Sequence, residues 1–338
     1  MSRHINIPVF IPHEGCPNDC IFCNQRKISG FVHAPDEQEI RRIIEEHLET
    51  AGSEDYCEIA FFGGSFTGLP EFQQEKYLKI AYRYVKEGKV KGIRLSTRPD
   101  YINERILDLL EEYSVKVIEL GIQSLDEQVL KKSLRNYPPE VAISACKMVK
   151  ERGFSLGVQT MIGLPGDTLK KSIDTAKKLI ELKPDMVRIY PTLVISGTSL
   201  EQEYLNNRYS PLSLDDAVFW CSILVPMYEN ANVRVLRIGL QDMDELRRKN
   251  EVVAGPVHPA FGALVYSSIW LDRIRDRLEN MDISKKKLII HVAPSEVSPV
   301  IGQNKRNISF LKENYRFDDV KVIGDMNSKK ALEFEFRD

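Results

Sequence analysis

Short, β-branched, largely apolar runs alternate with amphipathic stretches along most of this chain, and that alternation restricts the possible folds more than any other feature. The runs lie at 58–62, 92–96, 115–122, 154–162, 186–192 and 233–238. Between and around them are helical patterns at 38–49, 71–86, 102–112, 140–152, 169–182 and 214–230. In the fifth of these, Ile173, Ala176, Lys177 and Ile180 fall at helical spacing, and Pro184 stops the helix. Strands apolar along their whole length belong to a sheet covered on both faces. Strand–helix alternation then implies right-handed βαβ units and a parallel sheet. The expected fold is α/β: a partial or complete TIM-like βα barrel with a small α+β C-terminal domain. The 338 residues have room for both. The expected organisation is a barrel domain over 1–242, a connecting or substrate region over 243–284 and a small domain over 285–338. Functional residues should sit where barrel strands end.

The near-neutral net charge of −2 gives no argument from the whole chain for nucleic acid or membrane. No stretch approaches the ~20 apolar residues of a membrane span. Met1-Ser2-Arg3-His4-Ile5 does not open a signal peptide. A cytoplasmic protein with no membrane partner is expected, and disulfides are not.

Three of the six cysteines fall in a C-x3-C-x2-C pattern, as Cys16, Cys20 and Cys23. Thiolates are the ligands of iron–sulfur clusters, and a [4Fe–4S] cluster normally takes four. Three local cysteines leave one iron open to a substrate or cofactor. The competing reading is a structural zinc site, but such a site is closed by four ligands, commonly in paired C-x2-C arms. No second arm is present, although His13 could complete a set. Cys57, Cys146 and Cys221 read as small buried hydrophobes.

At these cysteines, with Phe22 before the last of them, the chain resembles the radical S-adenosylmethionine (SAM) superfamily. Further motifs follow in order. They are Phe62-Gly63-Gly64-Ser65-Phe66-Thr67-Gly68-Leu69-Pro70, Ser96-Thr97-Arg98-Pro99-Asp100-Tyr101, Glu119-Leu120-Gly121-Ile122-Gln123-Ser124, Met161-Ile162-Gly163-Leu164-Pro165-Gly166 and Ile189-Tyr190-Pro191-Thr192-Leu193-Val194. In this order they are similar to the radical domain of the elongator catalytic-subunit family and, more distantly, to oxygen-independent coproporphyrinogen III oxidases. The resemblance covers roughly Pro8 to Asp242. It implies a cluster on Cys16, Cys20 and Cys23, and SAM chelating the open iron as the source of a 5′-deoxyadenosyl radical. It also implies a cofactor pocket of Phe22, Gly63, Gly64, Ser65, Arg98, Gln123, Ser124, Gln159, Gly163 and Leu164, with Arg188 and Tyr190 facing substrate. A low-potential flavodoxin or ferredoxin is the electron donor that the family implies. Taken singly, Arg98 and Asp100 could cap a turn, Gln123 could satisfy buried backbone, and Tyr190 could be core.

The elongator family continues into an acetyltransferase domain whose pattern this sequence lacks, which puts acetyl-CoA chemistry in doubt. Instead a basic-then-apolar strand at 285–293 leads into Ile301-Gly302-Gln303-Asn304-Lys305-Arg306-Asn307-Ile308, a helix to Tyr315 and a strand at 320–323. This is similar to an RNA-binding KH unit, in which a G-x-x-G loop clamps a nucleic-acid backbone. Here Lys305 replaces the second glycine. From Lys285 to Arg316 seven basic residues face two acids, Glu296 and Glu313. Gly302, Lys305, Arg306 and Asn307 are the candidate RNA contacts; a solvated docking face is the plainer reading. His258, in the Gly/Pro-rich run 253–262, is a candidate proton donor or simply structural. The leading expectation is a radical enzyme that modifies a tRNA or rRNA base. The alternatives are a radical enzyme on a small molecule such as a tetrapyrrole, and an RNA-binding regulator with a redox-sensing cluster.

Overall fold

The computed structural model describes residues 3–11, 20–24, 34–240, 251–279, 281, 283, 286–328 and 331–338. The chain divides into two compact units, one of Met1–Ser213 with Met227–Pro256, the other of Leu214–Pro226 with Val257–Asp338.

The first unit is a seven-stranded sheet in the order β1-β2-β3-β4-β5-β6-β8, every neighbouring pair parallel. Its strands are β1 (His4–Ile11), β2 (Tyr56–Gly63), β3 (Gly92–Thr97), β4 (Val115–Gln123), β5 (Ser155–Ile162), β6 (Met186–Pro191) and β8 (Arg234–Ile238). Helices α1 (Glu37–Glu49), α2 (Glu71–Lys86), α3 (Glu104–Glu112), α4 (Glu127–Lys132), α5 (Pro139–Glu151) and α6 (Leu169–Glu181) connect them. The curled sheet has β1 and β8 as its edges, so the barrel is partial. β1 is the strand that the apolar pattern does not reveal, because Pro8 interrupts the run. An edge strand tolerates proline, since one side of its backbone pairs with nothing. Short β7 (Val194–Ile195) pairs antiparallel with β9 (Val252–Ala254), so the Gly/Pro-rich run begins as a strand. The helical pattern at 241–250 lies outside the described residues.

Local chemistry starts the helices. Asp36 and Glu39 form a capping box on α1, and Asn103, Asp126 and Thr168 cap α3, α4 and α6. At the end of β4 the ladder slips: Gly121 pairs with Gln159 but Gln123 with Thr160, leaving Ile122 as an extra residue. Gln123 takes φ +69°, unusual for a side chain other than glycine.

In the second unit, β10 (Lys287–Val292) is central, parallel to β11 (Asp319–Gly324) and antiparallel to β12 (Glu333–Arg337). The long helix here takes the label α9 (Phe261–Leu278), following α7 (Ser199–Leu205) and α8 (Leu214–Asn230). Trp270, Ile274 and Leu278 of α9 join Leu288, Ile290, Leu311 and Phe317 in one core. The 243–284 segment, expected as a connecting region, therefore holds a helix that contributes to this core. Between α10 (Val297–Ile301) and α11 (Arg306–Tyr315) stands the Gly302 loop. None of the described helices is long and apolar enough to cross a membrane.

Candidate active site at the strand ends

The cysteine loop is fastened on several sides. Cys23 N–H donates to Cys20 O at 2.9 Å, closing a turn between the two cysteines. Ile21 N–H donates to Ser133 O, and Leu200 N–H to Ile21 O. Ile21 is buried against Val194 and Leu200, and half-buried Phe22 packs on the same cluster. Cys16 and His13 lie outside the described residues.

Two buried guanidinium groups converge on the Cys20 sulfur. Arg98 Nη1 lies 3.3 Å from Sγ and Arg135 Nη1 3.6 Å. Burial alone would lower the Arg98 pKa, but the fork it makes to both Asp100 oxygens at 2.8 and 2.9 Å more than offsets this and keeps it charged. The Tyr137 ring lies 5.3 Å from Arg98 and 5.1 Å from Arg135. The apolar surroundings of Cys146 and Cys221 push each thiol up to about 12, and burial raises Cys57 as well, as befits small core residues.

At the tip of β2, Gly63 has φ +106°, and a Cβ there would stand 2.6 Å from Ile11 O. Only glycine lets these two strand ends close up, and Gly64 N–H then donates to Ile11 O. The Ser65 hydroxyl accepts from Arg98 N–H at 2.8 Å and shares a hydrogen with Thr97 Oγ1 at 2.9 Å. It therefore ties β2 to β3. Ser124 Oγ accepts from Asp126 N–H and so opens α4. Gly163 N–H donates to the Asp167 carboxylate and Gly163 O accepts from Tyr209, so this turn is held by its own neighbours; Leu164 beside it is buried. Gln123 differs. Its Oε1 is buried at the end of β4 and has no partner among the described residues. A buried acceptor left unpaired is costly, and this one stands at the strand ends, where it is open to accept from a ligand.

Below these tips, charges fill the inside of the sheet. Glu58 on β2 accepts from His4 at 2.8 Å and Arg94 at 3.2 Å. Arg94, 1% exposed, also reaches Glu119 on β4 at 3.0 Å. Glu119 takes a fork from Arg188 at 2.6 and 3.2 Å and an amide hydrogen from Gln159, which also reaches Ser96. Burial alone would push Glu119 up, but Arg188 and Arg94 hold its carboxyl below the usual range. Gln159 and Arg188 are thus anchored members of an internal network. Arg188 lies 5.8 Å from the Phe62 ring, and burial raises the Tyr190 pKa, keeping that phenol protonated.

Sequence reading did not find Glu58, Arg94, Arg135, Tyr137 or the part that Glu119 plays. For Glu58 and Arg94 a signal existed: each is a lone charge inside an apolar strand, which cannot be buried unless paired.

The chain matches the family described as the Radical SAM superfamily over residues 10–179 and the Radical_SAM C-terminal domain over 184–270. The first match covers half of the chain. This chain belongs to the Radical SAM superfamily. It is 29% identical over 275 residues to Elongator complex protein 3 of Mus musculus, covering 67% of this chain and 49% of that one. It is 27% identical over 194 residues to the tRNA uridine(34) acetyltransferase of Methanocaldococcus infernus, covering 51% of this chain and 36% of that one. The chain thus spans about half or less of these curated relatives. The solved structure of the archaeal Methanocaldococcus infernus Elp3 with an N-terminal deletion (1–46) superposes with a TM-score of 0.66 at 23% identity, covering 81% of this chain and 64% of that chain. The fold is shared.

The residues present fit the radical SAM cofactors. Two cationic donors face a cysteine sulfur, as an anionic cluster requires, and an orphaned amide oxygen and a glycine-lined strand tip stand at the same end of the sheet. Among the candidate RNA contacts, Lys305 and Arg306 are exposed. Gly302 and Asn307 are not. A Cβ on Gly302 would meet Ser267 Oγ at 2.7 Å, and the Asn307 amide donates to Ser267 O, Pro299 O and Val300 O. Asn307 shapes the loop from within; its donors are spent, which removes it as an RNA contact.

Proposed function

We propose that this chain is a cytoplasmic radical SAM enzyme that modifies a tRNA base. The observation that carries the chemistry is the Cys20 sulfur beneath two buried guanidinium groups, on the same strand ends as the unpartnered Gln123 oxygen. Cys16, Cys20 and Cys23 would hold a [4Fe–4S] cluster, and Gly63, Gly64, Gln123 and Gln159 would line the SAM pocket. When bound, these groups supply a one-electron reductive cleavage that yields a carbon radical able to take hydrogen from substrate. The electron comes from a low-potential flavodoxin or ferredoxin.

The chain's own side chains bind and orient. Arg98 and Arg135 hold positive charge against the Cys20 ligand. Gln123 Oε1 accepts an N–H from the bound amino acid moiety. Arg188, fixed by Glu119, presents a rigid cation next to Tyr190, whose protonated phenol donates a hydrogen bond to substrate. Similarity to a tRNA uridine(34) acetyltransferase and to Elongator complex protein 3 supports the tRNA substrate. In the second unit, Lys305 and Arg306 at the start of α11 suit phosphate contacts in a KH-like unit.

Anaerobically reconstituted protein given dithionite and SAM should release 5′-deoxyadenosine, and Cys20→Ala should not. Equal yields from both would refute the radical chemistry. Nucleoside mass spectrometry on tRNA from cells with and without the gene should show one nucleoside lost; an unchanged profile would sink the tRNA reading.

A further inference from the structure

Arg135 is a buried cation, 4% exposed, that forms no ion pair with a carboxylate among the described residues. Its Nε and Nη2 bond Tyr137 Oη at 2.8 and 2.6 Å, and Nη2 also donates to Gly121 O. The remaining nitrogen, Nη1, is aimed at Cys20 Sγ. The neighbouring Arg98 differs, because Asp100 neutralises it. The path to this position is built in the backbone. Leu134 takes φ +56° directly after α4, which turns Arg135 inward, and Ser133 O meanwhile receives Ile21 N–H. One short segment therefore grips the cysteine loop by its backbone and points a charge at its thiol. A buried cation left without a counter-charge is strongly destabilising. Among the described residues no carboxylate meets this cation, and an anion held at the Cys20 sulfur would compensate it.

We propose that Arg135 is the counter-charge of the iron–sulfur cluster, a positioning residue whose charge and N–H donor set the cluster's reduction potential. This rests on the cluster reading above. Hydrogen bonds and charge at the ligand sulfurs are levers on such potentials. A positive charge favours the more negative, reduced state, so its removal makes reduction harder.

The test uses the full chain, apo and reconstituted, as wild type, Arg135→Met and Arg135→Lys. Redox titration of reconstituted Arg135→Met should show the reduction equilibrium falling about tenfold, which for one electron is about 59 mV toward the negative. Arg135→Lys keeps the charge and should stay nearer wild type. In the apo protein, Arg135→Met should melt at or above the wild-type temperature, since an uncompensated buried charge has been removed. Wild-type potential in both variants overturns the proposal, as does an equal shift in both or a large loss of apo stability in Arg135→Met. If Arg135→Met does not load iron, Arg135→Gln takes its place. Loading by Lys but by neither neutral variant supports the counter-charge; loading by none of the three, with wild type loading, counts against it. Wild type that takes up no iron or sulfide fails the cluster reading itself, a separate result.

Discussion

The insides of the two units are built on opposite principles. Within the partial barrel, Glu58, Arg94, Glu119 and Arg188 lie under the strand tips as a connected set of charges. Within the second unit, Trp270, Ile290, Leu311 and Phe317 form an apolar core, and the charges stand outside. A buried, paired network is no more stable than an apolar core of the same volume, but it fixes donors and acceptors in one arrangement. The barrel gives up apolar packing to hold Arg188 and Gln159 rigidly beneath the proposed reaction site. The second unit keeps its interior plain and leaves its surface for contact.

The sharpest way to break this comparison is Glu119→Ala. It strands Arg94 and Arg188, and urea denaturation should show a loss of about 3–5 kcal/mol in the barrel. If the loss is below about 1 kcal/mol, the charges are not holding each other. The counterpart in the apolar core is Leu311→Ala, which should cost about 2–5 kcal/mol by cavity formation without altering cofactor binding. A change in SAM affinity would blur the proposed division of labour.

The two interiors should also separate by pH. The folded pKa of Glu119 is held below its ordinary value by Arg188 and Arg94. Its stabilising contribution is therefore complete above the usual glutamate range and disappears as pH falls through the lowered value. Acid titration of stability should show this limb in wild type and not in Glu119→Gln; identical curves would remove Glu119 from the account. The smallest effect on stability belongs to the surface. Lys305→Glu with Arg306→Glu should change unfolding by no more than about 0.5 kcal/mol. The same pair should weaken tRNA binding and reduce the salt slope by about 1 per residue. Unaltered binding would leave the second unit a plain docking domain.

The βα alternation was legible because the barrel strands after the first are mostly apolar runs separated by amphipathic helices. β1 was not, since Pro8 makes an edge strand look like a loop. The thiol motif was legible because it is local. The charge network was not, because Glu119 meets Arg94 and Arg188 across separations of 25 and 69 residues. Arg135 sits in Lys131-Lys132-Ser133-Leu134-Arg135, a basic run that reads as a solvated face, and only the left-handed turn at Leu134 buries it. The resemblance placed Ser65 in the cofactor pocket and the KH-like pattern made Asn307 an RNA contact. Ser65 also bonds Arg98 N–H and Thr97, and the Asn307 amide donates to three backbone carbonyls, contacts that the sequence does not display.

The out-of-step tip of β4 has a consequence for how this site can evolve. The surplus position at Ile122 rotates the strand's last amide out of the regular pleat. Strand length, rather than amide chemistry alone, decides where that oxygen points. Excising Ile122 would restore ladder alternation while swinging the amide away, so a chain keeping every named side chain could still lose its grip on a small molecule through one missing backbone unit.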